Sequence, residues 1–156
     1  MKRIEELADK LINSPKFRPS EIMHKDLEDL DKPGVYVWWW ENDDENLHRI
    51  IYVGRTGKHT DNGSRCMRKR LAEHLGGGSK EKTLGGQPIQ RWVAYYKKLA
   101  KPGKDAKDWM RNNLKIQVLH IPDDPDDIFW KTRALLEHFL IAKYEPEVNL
   151  VSEKER

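Results

Sequence analysis

Gly34-Val35-Tyr36-Val37-Trp38-Trp39-Trp40 is a run of β-branched and aromatic residues, and Ile50-Ile51-Tyr52-Val53 follows it across an acidic stretch, 41–45. Such side chains suit a pleated, half-buried surface, so the two runs predict a β-hairpin with a solvated connection. Toward the N-terminus the period changes. Ile4, Leu7, Ala8, Leu11 and Ile12 fall at helical spacing before Ser14-Pro15, and Ser20 caps a second expected helix with Ile22, Met23, Leu27 and Leu30 on its apolar side, stopped at Pro33-Gly34. Toward the C-terminus, Met67, Leu71 and Leu75 predict a helix over 65–75 closed by Gly76-Gly77-Gly78. Residues 89–113 read as helix interrupted at Pro102-Gly103, 114–121 as a strand, 126–144 as a helix ending before Pro146, and 148–150 as an extended tail. The order predicts an α+β domain whose three-stranded antiparallel sheet is flanked by helices.

A chain of 156 residues, 35% charged and 37% apolar, suits one domain with a modest core. No apolar run reaches bilayer length, and the charged start Met1-Lys2-Arg3 leads into no apolar signal segment, so a cytoplasmic protein without membrane contact is expected. Cys66 is the only cysteine, which excludes an internal disulfide and a zinc ribbon. The net charge of +3 hides a segregation of sign. Arg49, Arg55, Lys58, Arg65, Arg68, Lys69 and Arg70 crowd 49–70, and eight Lys/Arg occupy 91–115, while acid gathers at 41–45 and 123–127. Two basic segments of this kind fit either a face for a polyanion or ordinary solvated helices. Nothing in the sequence specifies an oligomeric state.

Two further patterns bear chemistry. Stepping by three and four from Trp130 through Ala134, Glu137, Ile141 and Tyr144 makes Glu137 the one acid in an apolar stripe, with Ile128, Leu135 and Phe139 covering the adjacent face. A carboxylate there needs a partner, either a metal or a cation in an ion pair. On the 65–75 helix, Arg70 and His74 lie one turn apart, a fork for phosphate oxygens beside a group that moves a proton near neutral pH. Trp38, Trp39, Trp40 and Trp92 read as packing residues; Tyr95, Tyr96 and Trp109, interleaved with Arg91, Lys97, Lys98 and Arg111, read as either core or a surface that stacks on nucleic acid.

Gly34-Val35-Tyr36 and Tyr52-Val53-Gly54, on paired strands followed by an arginine-bearing helix, resemble the two tripeptides that name the GIY-YIG nucleases. Arg55 matches the basic residue after the second tripeptide, and Arg70 and His74 match the helix-borne pair. Glu137 matches the metal-binding acid, and Asn149 the asparagine twelve positions beyond it. The match runs over 33–151, with residues 1–32 as an N-terminal helical extension and 152–156 as a tail. It departs from the compact members in a longer hairpin loop and an enlarged helical insertion at about 76–113.

The resemblance implies a metal-dependent DNA endonuclease with one metal ion, Mg²⁺ or Mn²⁺, held by Glu137. Tyr36 would take a proton from the attacking water with help from His74, Tyr52 would orient the site or share that role, and Arg55 and Arg70 would grip the scissile phosphate. Asn149 would orient Glu137 or a water beside it. Arg65, Arg68, Lys97 and Lys98, with Arg55 and Arg70, would contact nucleic acid. The alternative is a non-catalytic nucleic-acid-binding module on the same fold.

Overall fold

A computed structural model describes residues 2–42, 47–56, 66–76, 82–122 and 131–154. The aromatic run becomes β1 (Gly34–Asn42) and its partner β2 (Leu47–Arg55); β3 (Leu114–His120) joins the other side of β1, giving an antiparallel sheet in the order β2-β1-β3. The helices are α1 (Lys2–Ile12), α2 (Met67–Leu75), α3 (Pro88–Lys97), α4 (Pro102–Asn113), α5 (Lys131–Tyr144) and α6 (Glu147–Lys154). The expected α+β class and antiparallel sheet are therefore observed, and the break expected at Pro102-Gly103 separates α3 from α4. Among the described residues, no helix is long and apolar enough to cross a membrane.

Alternation along β1 divides the interior. Tyr36, Trp38 and Trp40 face α2, α3 and α4, where Met67, Leu71, Ile89, Val93, Ala106 and Met110 complete one core. Val35 and Val37 face the other way, onto Leu136 and Leu140 of α5 and Ile4, Ala8 and Leu11 of α1. The N-terminal extension is thus part of the fold, since α1 and α5 cover that face together. The sheet departs from regular pairing once: Trp38 opposes Tyr52 but Trp39 opposes Ile50, so Ile51 is an extra, bulged residue. The bulge lets Ile51 and Tyr52 both pack against the core that holds Tyr36.

Three local expectations are corrected. The helix expected from Ser20 is two 3-10 turns, Pro19–Glu21 and Glu28–Asp31, and Met23 is 64% exposed rather than apolar-faced. The carbonyls of Ile22, Lys25 and Leu27 accept instead from the Arg68 guanidinium. The extended tail at 148–150 is helical, within α6. Glu145 closes α5 with a positive φ of 47°, and Pro146, read as a stop, also opens the next helix by accepting the Leu150 N–H at 3.1 Å. On α5 the buried side chains are Thr132, Arg133, Leu136 and Leu140; Leu135 is exposed, and Glu137 lies at the margin of the buried face rather than along its centre. Trp130 and Ile128 lie outside the described residues, as do the hairpin tip at 43–46 and the acidic run at 123–127.

Candidate active site

The site begins with two glycines that admit what their neighbours need. Tyr36 pairs with Gly54 across β1 and β2, and a Cβ on Gly54 would sit 2.5 Å from Tyr36 Cζ. At Gly34 a Cβ would meet the Leu119 carbonyl oxygen at 2.0 Å and the Met67 thioether at 2.8 Å. The glycines of both tripeptides are therefore places of close approach, one for the phenol ring and one for β3 and α2. Thr56, fully buried, ties the two strand ends together: its N–H donates to the Gly34 carbonyl at 3.0 Å, and its Oγ1 accepts the Gly34 N–H at 3.1 Å.

With its ring laid over Gly54, Tyr36 brings its hydroxyl 2.9 Å from His74 Nε2 on α2. Both groups are buried, and burial sets their protonation. Desolvation, reinforced by Tyr52 and resisted by Arg70, pushes the Tyr36 phenol above its ordinary range. Desolvation, with Arg70 next, holds His74 down to about 3, so the imidazole is neutral. Arg70 lies near enough to the Tyr36 hydroxyl for its positive charge to favour the ionised phenol, against the larger effect of burial. The Tyr36 hydroxyl and His74 Nε2 share one hydrogen bond, and His74 Nδ1 has no hydrogen-bond partner among the described residues. Tyr52 packs edge-on to His74 with ring centroids 5.0 Å apart.

Glu137 of α5 completes the cluster, close enough to Tyr36 that its charge opposes ionisation of the phenol. Arg55 Nε donates to Glu137 Oε1 at 3.4 Å, and His138 Nε2 lies 4.0 Å from the same oxygen. The pair is long for a charge-assisted bond. Desolvation outweighs the attraction of Arg55, leaving the Glu137 carboxyl above its ordinary range. Among the described residues no three His, Cys, Asp or Glu side chains gather as a metal cage, so a cation here would have Glu137 as its side-chain carboxylate and take its other ligands mainly from water.

The remaining candidates divide. Asn149 makes no hydrogen bond to Glu137; its Oδ1 accepts the Val53 N–H at 2.8 Å and its Nδ2 donates to the Val53 carbonyl at 2.9 Å. Its influence on the site therefore runs through β2, two residues before Arg55. Arg68 is committed within the fold: besides the three carbonyls, its guanidinium donates to Asp31 at 2.8 Å. Arg70 pairs with Glu73 at 3.2 Å, and its Nε is buried without a hydrogen-bond partner among the described residues. Lys97 and Lys98 are exposed on and just after α3, away from the cluster, and Arg65 lies outside the described residues.

Sequence reasoning missed several buried polar groups. Gln90 Nε2 donates to the carbonyls of His74 at 2.8 Å and Gly76 at 3.0 Å, fastening the end of α2 to α3. Arg133, 0% exposed, donates to the Ile121 carbonyl at 3.1 Å. Gln117 accepts from Trp39 Nε1 at 2.6 Å and donates to the carbonyls of Ile12 and Ser14. For Gln117 the available signal is its place between Ile116 and Val118 within a strand. No protein-family model matches this chain, and no curated protein matches it.

Proposed function

We propose that this chain is a metal-dependent endonuclease of the GIY-YIG type that hydrolyses DNA phosphodiester bonds with one divalent ion. The observation that carries the reading is the buried Tyr36–His74 pair, 2.9 Å apart, with the charge of Arg70 close enough to act on the same hydroxyl. Arg55 and Glu137 lie alongside, so β1, β2, α2 and α5 each deliver a group to one place.

Hydrolysis needs a deprotonated water, compensation of charge on the phosphoryl oxygens and relief of charge on the leaving oxygen. Glu137 is the residue that would hold the ion: a hard carboxylate with one oxygen engaged and a raised pKa suits Mg²⁺ or Mn²⁺ with a largely aqueous shell. When bound, the ion supplies compensation for the charge that builds on the phosphate and the leaving group. Arg55, beside Glu137, would hold one oxygen of the incoming phosphate. Arg70 holds a second phosphoryl oxygen. In the resting protein Tyr36 keeps its proton, so its hydroxyl works as a relay: it takes the water proton while passing its own to the neutral His74 Nε2. His74, a weak base in this burial, holds that proton only briefly and gives it back through the Tyr36 hydroxyl and solvent, so that the leaving oxygen departs as a hydroxyl.

The test is nicking of supercoiled plasmid with Mg²⁺, with Mn²⁺ and with chelator, using the natural chain and Tyr36→Phe. We expect divalent-dependent nicking that falls by about 10²- to 10⁴-fold in the variant, the usual worth of general acid–base catalysis. Undiminished nicking by Tyr36→Phe removes Tyr36 from the reaction. DNA binding without nicking under any divalent ion turns the reading to the non-catalytic nucleic-acid-binding module.

A further inference from the structure

Residues 82–104 carry Lys82, Arg91, Lys97, Lys98, Lys101 and Lys104 and no aspartate or glutamate. Within this acid-free stretch α3 turns two adjacent rings outward, Tyr95 at 87% exposure and Tyr96 at 52%. Open aromatic surface forgoes the gain of burial, and neighbouring rings left open together mark a contact surface. Tyr96 is not loose. It stacks on Trp92 with centroids 5.1 Å apart and planes 10° from parallel, and stands edge-on to Trp40 at 6.4 Å. Trp109 braces Trp40 at 5.4 Å. The Lys97 ammonium lies 4.8 Å from the Trp40 centroid and 5.4 Å from that of Tyr96, placing a cation at the edge of the rings.

We propose that Tyr95 and Tyr96 form a stacking site for unpaired nucleobases, with the surrounding lysines following the strand's phosphates. Open ring faces, one of them braced, with cations nearby are what a single strand recognises; a continuous duplex has its base faces covered, and an acidic peptide would use the charge but not the rings. The site connects to the catalytic cluster in two ways. Trp40 shares β1 and its face with Tyr36, four residues or about 13 Å along the strand. Gln90, also on α3, bonds the His74 carbonyl at 2.8 Å. The inference rests on the reading that the substrate is DNA, and adds that this DNA carries an unpaired segment beside the cut.

Fluorescence anisotropy in EDTA tests it with the full chain and three labelled probes: an oligothymidylate, an abasic strand of equal length and a blunt duplex. We expect the thymidylate to bind about tenfold tighter than the abasic strand, about 1.4 kcal/mol, within the range measured for stacking of one base. Tyr95→Ala and the Tyr95→Ala/Tyr96→Ala pair should erase that difference while leaving abasic binding in place; Tyr95 covers too little for its loss to affect folding. Equal affinity of the natural chain for thymidylate and abasic strands, or a preference that survives both variants, overturns the site. No cleavage occurs in EDTA, so this result is independent of plasmid nicking: a chain that never nicks yet prefers thymidylate fails as a nuclease and keeps the stacking site.

Discussion

The phenol ring of Tyr36 lies directly over Gly54, its hydroxyl oxygen 2.5 Å from where a Cβ on that residue would be. The contact sets how far the ring can drop toward β2, and therefore where the hydroxyl meets His74. A glycine that a sequence comparison would treat as part of a motif is here the seat of a side chain.

Gly54→Ala is expected to lift the ring and break the 2.9 Å bond to His74 without unfolding the protein. Overpacking of this kind costs about 1–3 kcal/mol. A displacement near 1 Å at the reacting group lowers turnover by about 100-fold. Thermal melting and plasmid nicking measured together check this, and full nicking by the variant shows that the ring's seat is not critical.

Glu137→Gln separates the two partners a carboxylate at this place can have. Its raised pKa means that desolvation outweighs the long Arg55 pair, so the stability linked to its protonation is present at low pH and is lost as pH rises. Neutralising it should leave the melting temperature at pH 7 unchanged or higher, while nicking in Mg²⁺ disappears and DNA binding persists. Retained nicking removes Glu137 from the metal site. A marked fall in melting temperature makes the Arg55 pair a structural one.

Acid sensitivity should come in two stages. His74 titrates near 3 when folded against an ordinary 6.5, so the unfolded chain takes up the extra proton between those values and stability falls as pH drops below 6.5. Glu41 is desolvated, but Lys115 at 2.8 Å and Lys16 at 2.6 Å hold its carboxyl down to about 2 from 4.5. Its contribution is complete above 4.5 and is lost toward 2. In melting scans against pH, Glu41→Gln should flatten the lower stage and leave the upper one. A Glu41→Gln curve parallel to that of the natural chain contradicts the assignment.

Arg68 and Arg70, two positions apart on one basic helix, should separate under mutation. Arg68→Ala strands the part-buried Ile22 and Lys25 carbonyls and should lower stability with DNA affinity and its salt dependence unchanged. Arg70→Ala should leave stability nearly intact and lower nicking rate more than binding, because a group aimed at the reacting phosphate counts most in the transition state. Denaturant unfolding, anisotropy across a salt series and single-turnover nicking distinguish them.

The hairpin and β3 were legible because their side chains alternate between two covered faces, which leaves a period of two in the sequence. The pairing of Arg70 with His74 was legible for the same reason, through helical spacing. Hydrogen bonds made across the fold carry no period. Nothing near Arg68 announces that its guanidinium will take the carbonyls of a segment more than forty residues earlier, and that capture is why 20–30 does not complete a helix. Asn149 enters the site through its match to the asparagine of the resembled nucleases, and such a match does not determine which backbone its amide meets. Pro146 was read only as an end because its missing N–H stops a helix; the same lack is harmless where α6 begins.

β2 stands at the margin of the sheet, with one row of backbone groups turned away from β1. At Val53, the amide of Asn149 occupies both of those groups as an adjacent strand would. Among the described residues, the Asn149 side chain thus takes at Val53 the place that an added strand would need. Losing it would show first as self-association of the protein at high concentration, before any change in its chemistry.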